Sequence, residues 1–316
     1  MQKDLLTIEE LSEKDLKDII SLASELKSKR DTWKERPLAG KSVGMIFSKS
    51  STRTRVSFEV GIHELGGNSI FMDMSDLQLN RGETFADTAK VLSRYLHAAV
   101  IRTSLHEYVV EFAKAANIPV INALTDSFHP CQVLADLFTI YEYSERLEGV
   151  KLAYLGDCSN NIANSLILGA KLSGLNLILS SPEEFSPDFD LINNPDTGKA
   201  DIKWIKDPFE AVKNADYIYT DVWVSMGFEK EARRRLKLLK DYRINRNIVD
   251  EASPAVRIMH CLPAHRGEEI TDEILDDSRM SIVIDQAENR LHVQKAILSL
   301  MFEEKAGDSK PTKRRK

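Results

Sequence analysis

The chain has 316 residues, 42% of them hydrophobic, 7% aromatic and 29% charged, a composition that excludes a largely disordered or fibrous protein. Its 43 basic and 49 acidic residues leave a net charge of −6, so no global field draws it to nucleic acid or to an anionic membrane, and anionic ligands have to be captured locally. At this length one hydrophobic core stops growing, and two domains of roughly 150 residues each are expected.

In chain order, Ser12 followed by Asp15 forms a capping-box signature. Leu16, Ile19, Ile20, Ala23 and Leu26 then recur at the spacing of one helix face, predicting a first helix that ends near Arg30. Short β-like runs alternate with amphipathic stretches from there on. Residues 42–47 read as a strand before a helix starting after Thr52, and 68–72 as a strand before a helix over 83–96, with Phe85, Ala89, Leu92 and Leu96 on one stripe. A strand over 98–101, a helix over 107–116, a strand over 118–122 and a longer helix from near Gln132 continue the βαβ series. The charged stretch 145–151, containing Gly149, separates this half from the next, so residues 1–147 and 148–287 are expected as the two domains.

The second half repeats the logic, with strands expected over 152–155, 175–179, 217–220, 257–260 and 281–284. Residues 180–199, rich in Pro, Asp and Asn, read as a surface loop. A last helix over 290–304, within a segment 288–306 expected to pack back on the first domain, precedes a tail, 307–316, with five positive charges and one negative. That tail has the composition of a disordered terminus, and its basic end is the sole support for a nucleic-acid or scaffold role. The fold class that follows is α/β: two doubly wound parallel-sheet domains with helices on both faces and the active site in the cleft between them. Cys131, Cys158 and Cys261 are too scattered for a disulfide framework or a C-x-x-C metal knuckle. With no apolar leader segment and no bilayer-length apolar run, the expectation is a cytoplasmic protein.

Five clusters can carry chemistry. Ser48-Lys49-Ser50-Ser51-Thr52-Arg53-Thr54-Arg55 lies between a strand and a helix, where free N–H groups, hydroxyls and guanidinium forks suit a multi-oxygen anion such as phosphate. A merely hydroxyl-capped helix has the same signature, and no P-loop pattern accompanies it. His129-Pro130-Cys131-Gln132 again precedes a helix; imidazole and amide suit an amide-like ligand, although Pro is also an ordinary helix-start residue. Asp221-Val222-Trp223-Val224-Ser225-Met226-Gly227 follows a strand, where a carboxylate can hold a cationic amine or simply cap a turn. In His260-Cys261-Leu262-Pro263, neighbours after a strand point to alternate sides, so His260 is poorly placed as a base for Cys261. A thiolate at Cys261 beside a carboxylate would instead stabilise an ammonium and accept its proton. Gly156-Asp157-Cys158-Ser159-Asn160-Asn161 lacks the further glycines of a dinucleotide fingerprint, which disfavours a nicotinamide-dependent oxidoreductase.

Taken in order, Ser51-Thr52-Arg53-Thr54-Arg55, His129-Pro130-Cys131-Gln132, Asp221-x-x-x-Ser225-Met226-Gly227 and His260-Cys261-Leu262-Pro263 resemble the aspartate/ornithine carbamoyltransferase family, in its ornithine-using branch. The resemblance spans nearly the whole chain. It implies transfer of the carbamoyl group from carbamoyl phosphate to the side-chain amine of L-ornithine, giving citrulline and phosphate. It also implies no cofactor or metal, and a homotrimer with shared active sites. By the same resemblance Ser51, Thr52, Arg53, Thr54, Arg102, His129, Gln132, Cys261, Leu262 and Arg290 would bind carbamoyl phosphate, with Gln78 reaching the phosphate of a neighbouring subunit. Asn161, Asp221, Ser225 and Met226 would hold ornithine, and Arg102, His129, Asp221 and Cys261 would be catalytic. Transfer to putrescine or aspartate is the nearest rival: putrescine offers no α-carboxylate or α-amine, and aspartate calls for cations where Asp221 stands.

Overall fold

The computed structural model of the protein describes residues 1–194, 200–224 and 229–303. Helix α1 (Glu13–Ser28) starts at the expected capping box, in which Ser12 Oγ accepts from the Asp15 amide at 3.2 Å and the Asp15 carboxylate accepts from the Ser12 amide at 3.0 Å. The five apolar residues of its expected face are all buried. Then follow β1 (Ser42–Phe47), α2 (Thr52–Glu64), β2 (Asn68–Asp73), α3 (Phe85–Leu92), β3 (Ala98–Arg102), α4 (His106–Ala115), β4 (Val120–Leu124) and α5 (Pro130–Ser144). The strands form one parallel sheet in the order β2-β1-β3-β4.

The second sheet contains β5 (Lys151–Leu155), β6 (Asn176–Ser180), β7 (Ile202–Trp204), β8 (Tyr217–Thr220) and β9 (Arg257–His260), parallel in the order β7-β6-β5-β8-β9. Its helices are α6 (Asn161–Ser173), α7 (Phe189–Asn193), α8 (Pro208–Ala211), α9 (Ala232–Leu239), α10 (Arg246–Asp250) and α11 (Asp272–Leu275). The chain closes with α12 (Val283–Phe302), which packs on α1, α2 and α5 of the first half. Two doubly wound parallel sheets with helices are therefore present, as composition and periodicity predict.

Four expectations change. The strand expected over 281–284 is absent. Ser281 makes one bridge to Ile258 and the Ile282 amide donates to the Ile258 carbonyl at 3.0 Å, after which the chain turns into α12. The last helix thus begins at Val283 rather than Arg290. Its buried residues include Gln286, Asn289, Arg290, His292 and Gln294, so polar side chains interrupt the apolar pattern from which a start could be read. The helix expected over 83–96 is confined to α3: Thr84 caps its start, and its last turn is closed by Ser93, whose Oγ donates to the Ala89 carbonyl at 2.7 Å. The short, half-exposed β7 went unread because it offers no apolar run, and the loop over 180–199 contains α7. Residues 195–199 and 307–316 lie outside the described residues.

One apolar cluster runs through both halves, joining Leu134 and Phe138 of α5 to Ile162 and Leu166 of α6 and to Tyr154 and Tyr219 of the second sheet. The close approach of α5 and α6 depends on Gly169, where an added Cβ would sit 2.7 Å from Val133 Cγ1. Gly169→Val is expected to lower unfolding free energy by about 1–3 kcal/mol through overpacking. Chemical denaturation measures it; an unchanged midpoint would mean that the halves tolerate separation here.

Candidate active site

In an open parallel sheet, ligands gather beyond the carboxyl ends of the strands where the winding direction reverses. The first sheet reverses between β1 and β3 and the second between β5 and β8. The loop carrying Ser51 to Arg55 leaves β1, and Arg102 ends β3. Gly156 to Asn161 leave β5, and Asp221 follows β8. Three of the five sequence clusters therefore sit at the two switch points, and α5 and α12 run between them.

At the first switch point Ser51 caps α2, its Oγ accepting from the Thr54 amide at 3.3 Å. Thr52 is exposed, Arg53 half-buried and Thr54 buried. The Thr54 hydroxyl accepts from two guanidinium groups, Arg290 Nη2 at 2.7 Å and Arg102 Nη1 at 3.5 Å. Burial and the neighbouring charges of Arg290 and Arg53 push Arg102 down to about 10, so it keeps its charge at neutral pH. Arg290, fully enclosed, is lowered by the same burial. His129 precedes α5 with its backbone amide donating to Ser165 Oγ of α6 at 2.8 Å. Burial, then Arg290 and Arg102, drive its imidazole well below the ordinary range, so the ring is neutral. Arg102 Nε, Arg290 Nε and His129 Nδ1 are buried without a partner among the described residues. Convergent, underused donors among three like charges are the electrostatic signature of an anion site.

At the second switch point the Cys261 thiol donates to Asp221 Oδ1 at 2.9 Å. Burial, then the Asp221 charge, raises this thiol well above its usual range, and burial raises Asp221 above the usual carboxylate range. The expected thiolate is thus corrected: Cys261 is a protonated donor here and Asp221 is the group placed to accept a proton. Leu262 adopts a left-handed φ of 57°, with its amide donating to His260 Nδ1 at 2.9 Å. His260 turns its other nitrogen to Glu269 at 3.1 Å, so both ring nitrogens are engaged, although one of them lies within 4.8 Å of Cys261 Sγ, closer than the strand alternation predicts. Asn160 caps α6, whereas Asn161 Nδ2 donates to the Thr125 carbonyl at 2.6 Å.

The two clusters are joined by Asp136, a fully buried residue that the sequence reading missed. Its Oδ1 accepts from Gln132 Nε2 and from Gln286 Nε2, each at 2.8 Å, and its Oδ2 accepts from the Tyr219 hydroxyl at 3.0 Å. Gln132 Oε1 accepts from Arg290, and Gln286 Oε1 accepts from the His260 amide at 2.8 Å. The signal for Asp136 lay in its i+4 spacing from Gln132; nothing local marked Tyr219 or Gln286.

The structure therefore brings Ser51, Arg53, Thr54, Arg102, His129, Gln132 and Arg290 together, and Asp221 with Cys261 and Leu262. Gln78 stands apart: it opens a short 3-10 turn, is exposed, and its side chain makes no hydrogen bond among the described residues. Ser225 and Met226 lie outside the described residues. A separate cavity of about 540 Å³, between α1 and residues 146–148 and 171–174, holds none of these groups.

A family model described as the aspartate/ornithine carbamoyltransferase carbamoyl-P binding domain matches residues 3–142, and its companion, the Asp/Orn binding domain, matches residues 148–301. The ornithine carbamoyltransferase of Syntrophus aciditrophicus is 51% identical over 304 residues, covering 96% of this chain and 100% of that relative. That of Bacillus subtilis is 50% identical, covering 95% and 94%. Among solved structures, ornithine carbamoyltransferase from Pyrococcus furiosus superposes with a TM-score of 0.88 at 45% identity, covering 94% of this chain and 96% of that one.

Burial raises Asp136 to about 6. A carboxyl whose folded pKa lies above the unfolded value near 3.9 costs nothing in acid, and the chain loses stability as the pH rises from about 4 to about 6. Asp136→Asn lacks that loss. Its unfolding free energy relative to wild type is expected to improve by on the order of 2–3 kcal/mol between pH 4 and pH 6.5, read from denaturant midpoints. A pH-independent difference would show that Asp136 titrates normally.

Proposed function

Because the chain belongs to the aspartate/ornithine carbamoyltransferase family, we propose that it transfers the carbamoyl group of carbamoyl phosphate to the side-chain amine of L-ornithine, yielding L-citrulline and phosphate. The observation that carries this reading is the pairing of an anion site built on Arg53, Arg102 and Arg290 with the Asp221–Cys261 pair, the two linked through Asp136. Three neighbouring guanidinium groups, of which Arg290 alone is tied through Gln132 to the buried Asp136 carboxylate, leave an excess of about two positive charges, which a phosphate dianion completes.

In this reading Ser51, Thr52, Arg53, Thr54 and the N-terminus of α2 hold the phosphate. Arg102, neutral His129 and Thr54 donate to the carbonyl oxygen as it gains charge in the tetrahedral intermediate, a contribution of a few kcal/mol per donor. Gln132 receives the carbamoyl amide, with Leu262 and Cys261 at the reacting end and Arg290 bracing both phosphate and Gln132. Asn161, Asp221, Ser225 and Met226 hold ornithine. Asp221, its proton affinity raised by burial, accepts the proton that the attacking amine must lose. Residues 1–147 then serve carbamoyl phosphate and residues from 148 the amine, with α12 carrying Arg290 back to the first half. Enclosing both substrates between the halves keeps the acyl phosphate from water.

Carbamoyl phosphate offered with ornithine, putrescine and aspartate in parallel, without added metal, tests the reaction. Citrulline is expected with ornithine alone, and Cys261→Ala should act chiefly on the amine kinetics. Preference for putrescine or aspartate would overturn the assignment of Asp221, and unchanged ornithine kinetics in the variant would remove Cys261 from the site.

The same reading makes the protein a cytoplasmic homotrimer of arginine metabolism, with Gln78 completing a neighbour's phosphate site. The exposed position of Gln78 supports this, as do the exposed apolar Val56 of α2 and Ile70 of edge strand β2 in the same half. Light scattering should give about three times 35.7 kDa. A fully active monomer would overturn both the trimer and the role of Gln78.

A further inference from the structure

Gln132 is 1% exposed, and its amide is strung between two charged groups: Nε2 donates to Asp136 Oδ1 at 2.8 Å, and Oε1 accepts from Arg290. A guanidinium has only donors and an ionised carboxylate only acceptors, so one of the two amide orientations satisfies both ends. The reverse sets N–H against N–H and oxygen against oxygen between buried groups. Asp136 is itself fixed from two further sides, by Gln286 Nε2 at 2.8 Å and the Tyr219 hydroxyl at 3.0 Å. Gln286 is fixed in turn by the His260 amide at 2.8 Å. The orientation of Gln132 is thus held from both ends, and at its nitrogen end the holder is Asp136, one helical turn away, a group that the proposed reaction does not use.

We propose that Asp136 is a specificity-determining positioning residue: by holding the nitrogen end of Gln132, it presents the oxygen end as an acceptor and so selects an acyl phosphate bearing an N–H₂ group. This rests on the reading that Gln132 receives the carbamoyl amide. Acetyl phosphate has the same phosphate and the same carbonyl, with a methyl group where carbamoyl phosphate has its N–H₂. A methyl group cannot donate to Oε1, and a freely flipping amide would lose the distinction, since either end could then face the ligand. A buried charge that lowers stability at neutral pH is retained, in this account, because it fixes that choice.

The test compares acetyl phosphate, as a competitive inhibitor, with carbamoyl phosphate as substrate, using inorganic phosphate as a control for the guanidinium cluster. In the wild type the ratio of acetyl phosphate Ki to carbamoyl phosphate KM is expected to be about 10²-fold. Asp136→Leu should cut it to below about 10-fold, with the Ki of inorganic phosphate unchanged within about threefold. Asp136→Asn, whose oxygen can still accept from Gln132 while its nitrogen faces Tyr219, should keep most of the preference. Should Asp136→Leu fail to fold, Asp136→Ala is put through the same comparison. Gln132→Met separates the two levels of the idea. Loss of preference in Gln132→Met together with its retention in Asp136→Leu or Asp136→Ala overturns the role of Asp136 while Gln132 keeps its place. Retention in Gln132→Met, with citrulline still formed by the wild type, overturns the contact of Gln132 with the amide and the proposal with it.

Discussion

The buried carboxylate of Asp136 is the constraint on which the site depends. It takes donors from α5, α12 and β8, and through Gln132 and Gln286 it reaches Arg290 on one side and the backbone of His260 on the other. A carboxylate with no access to water must have its lone pairs filled, and here they are filled by groups from both halves of the chain. The relative placement of the two sheets and the presentation of the site side chains are consequently held by one hydrogen-bonded network. A partly satisfied network of this kind would cost more than an apolar core, so its members stand or fall together.

Around that network the structure keeps its unused capacity for a ligand. Arg102 and Arg290 share the Thr54 hydroxyl, and among the described residues each leaves a buried Nε without a partner beside a neutral His129. Their mutual repulsion makes the first switch point electrostatically suited to an anion. The second switch point is organised oppositely. Burial raises both Asp221 and Cys261, and the Asp221 charge raises the thiol further, whereas the thiol's hydrogen bond draws Asp221 back down, so the thiol keeps its proton and shares it with the carboxylate.

The division between what was legible and what was not follows the range of the interactions. The parallel strands, the capping boxes and the hydroxyl-capped start of α2 are local: each depends on a period of two or 3.6, or on a side chain bonding to an amide a few residues away. The terminal helix was misread at its start because it is buried on most sides, and a helix enclosed all round carries no amphipathic stripe. The protonation of Cys261 was misjudged for a related reason. Proton affinity depends on desolvation and on charges brought near by folding, neither of which has a sequence period.

By itself, then, the sequence determined the class of fold, the approximate order of elements and the residue types at the carboxyl ends of the strands, because those follow from local sterics and hydrophobic spacing. It also carried the motifs that place the chain in its family. The tertiary structure decided that Arg290, nearly at the end of the chain, shares the Thr54 hydroxyl with Arg102, that Asp221 meets Cys261, and that Asp136 joins them. These contacts span as many as 236 residues and arise from the packing of α12 and α5 between two sheets. Their geometry depends on where rigid elements come to rest, a property of the assembled core rather than of any one segment.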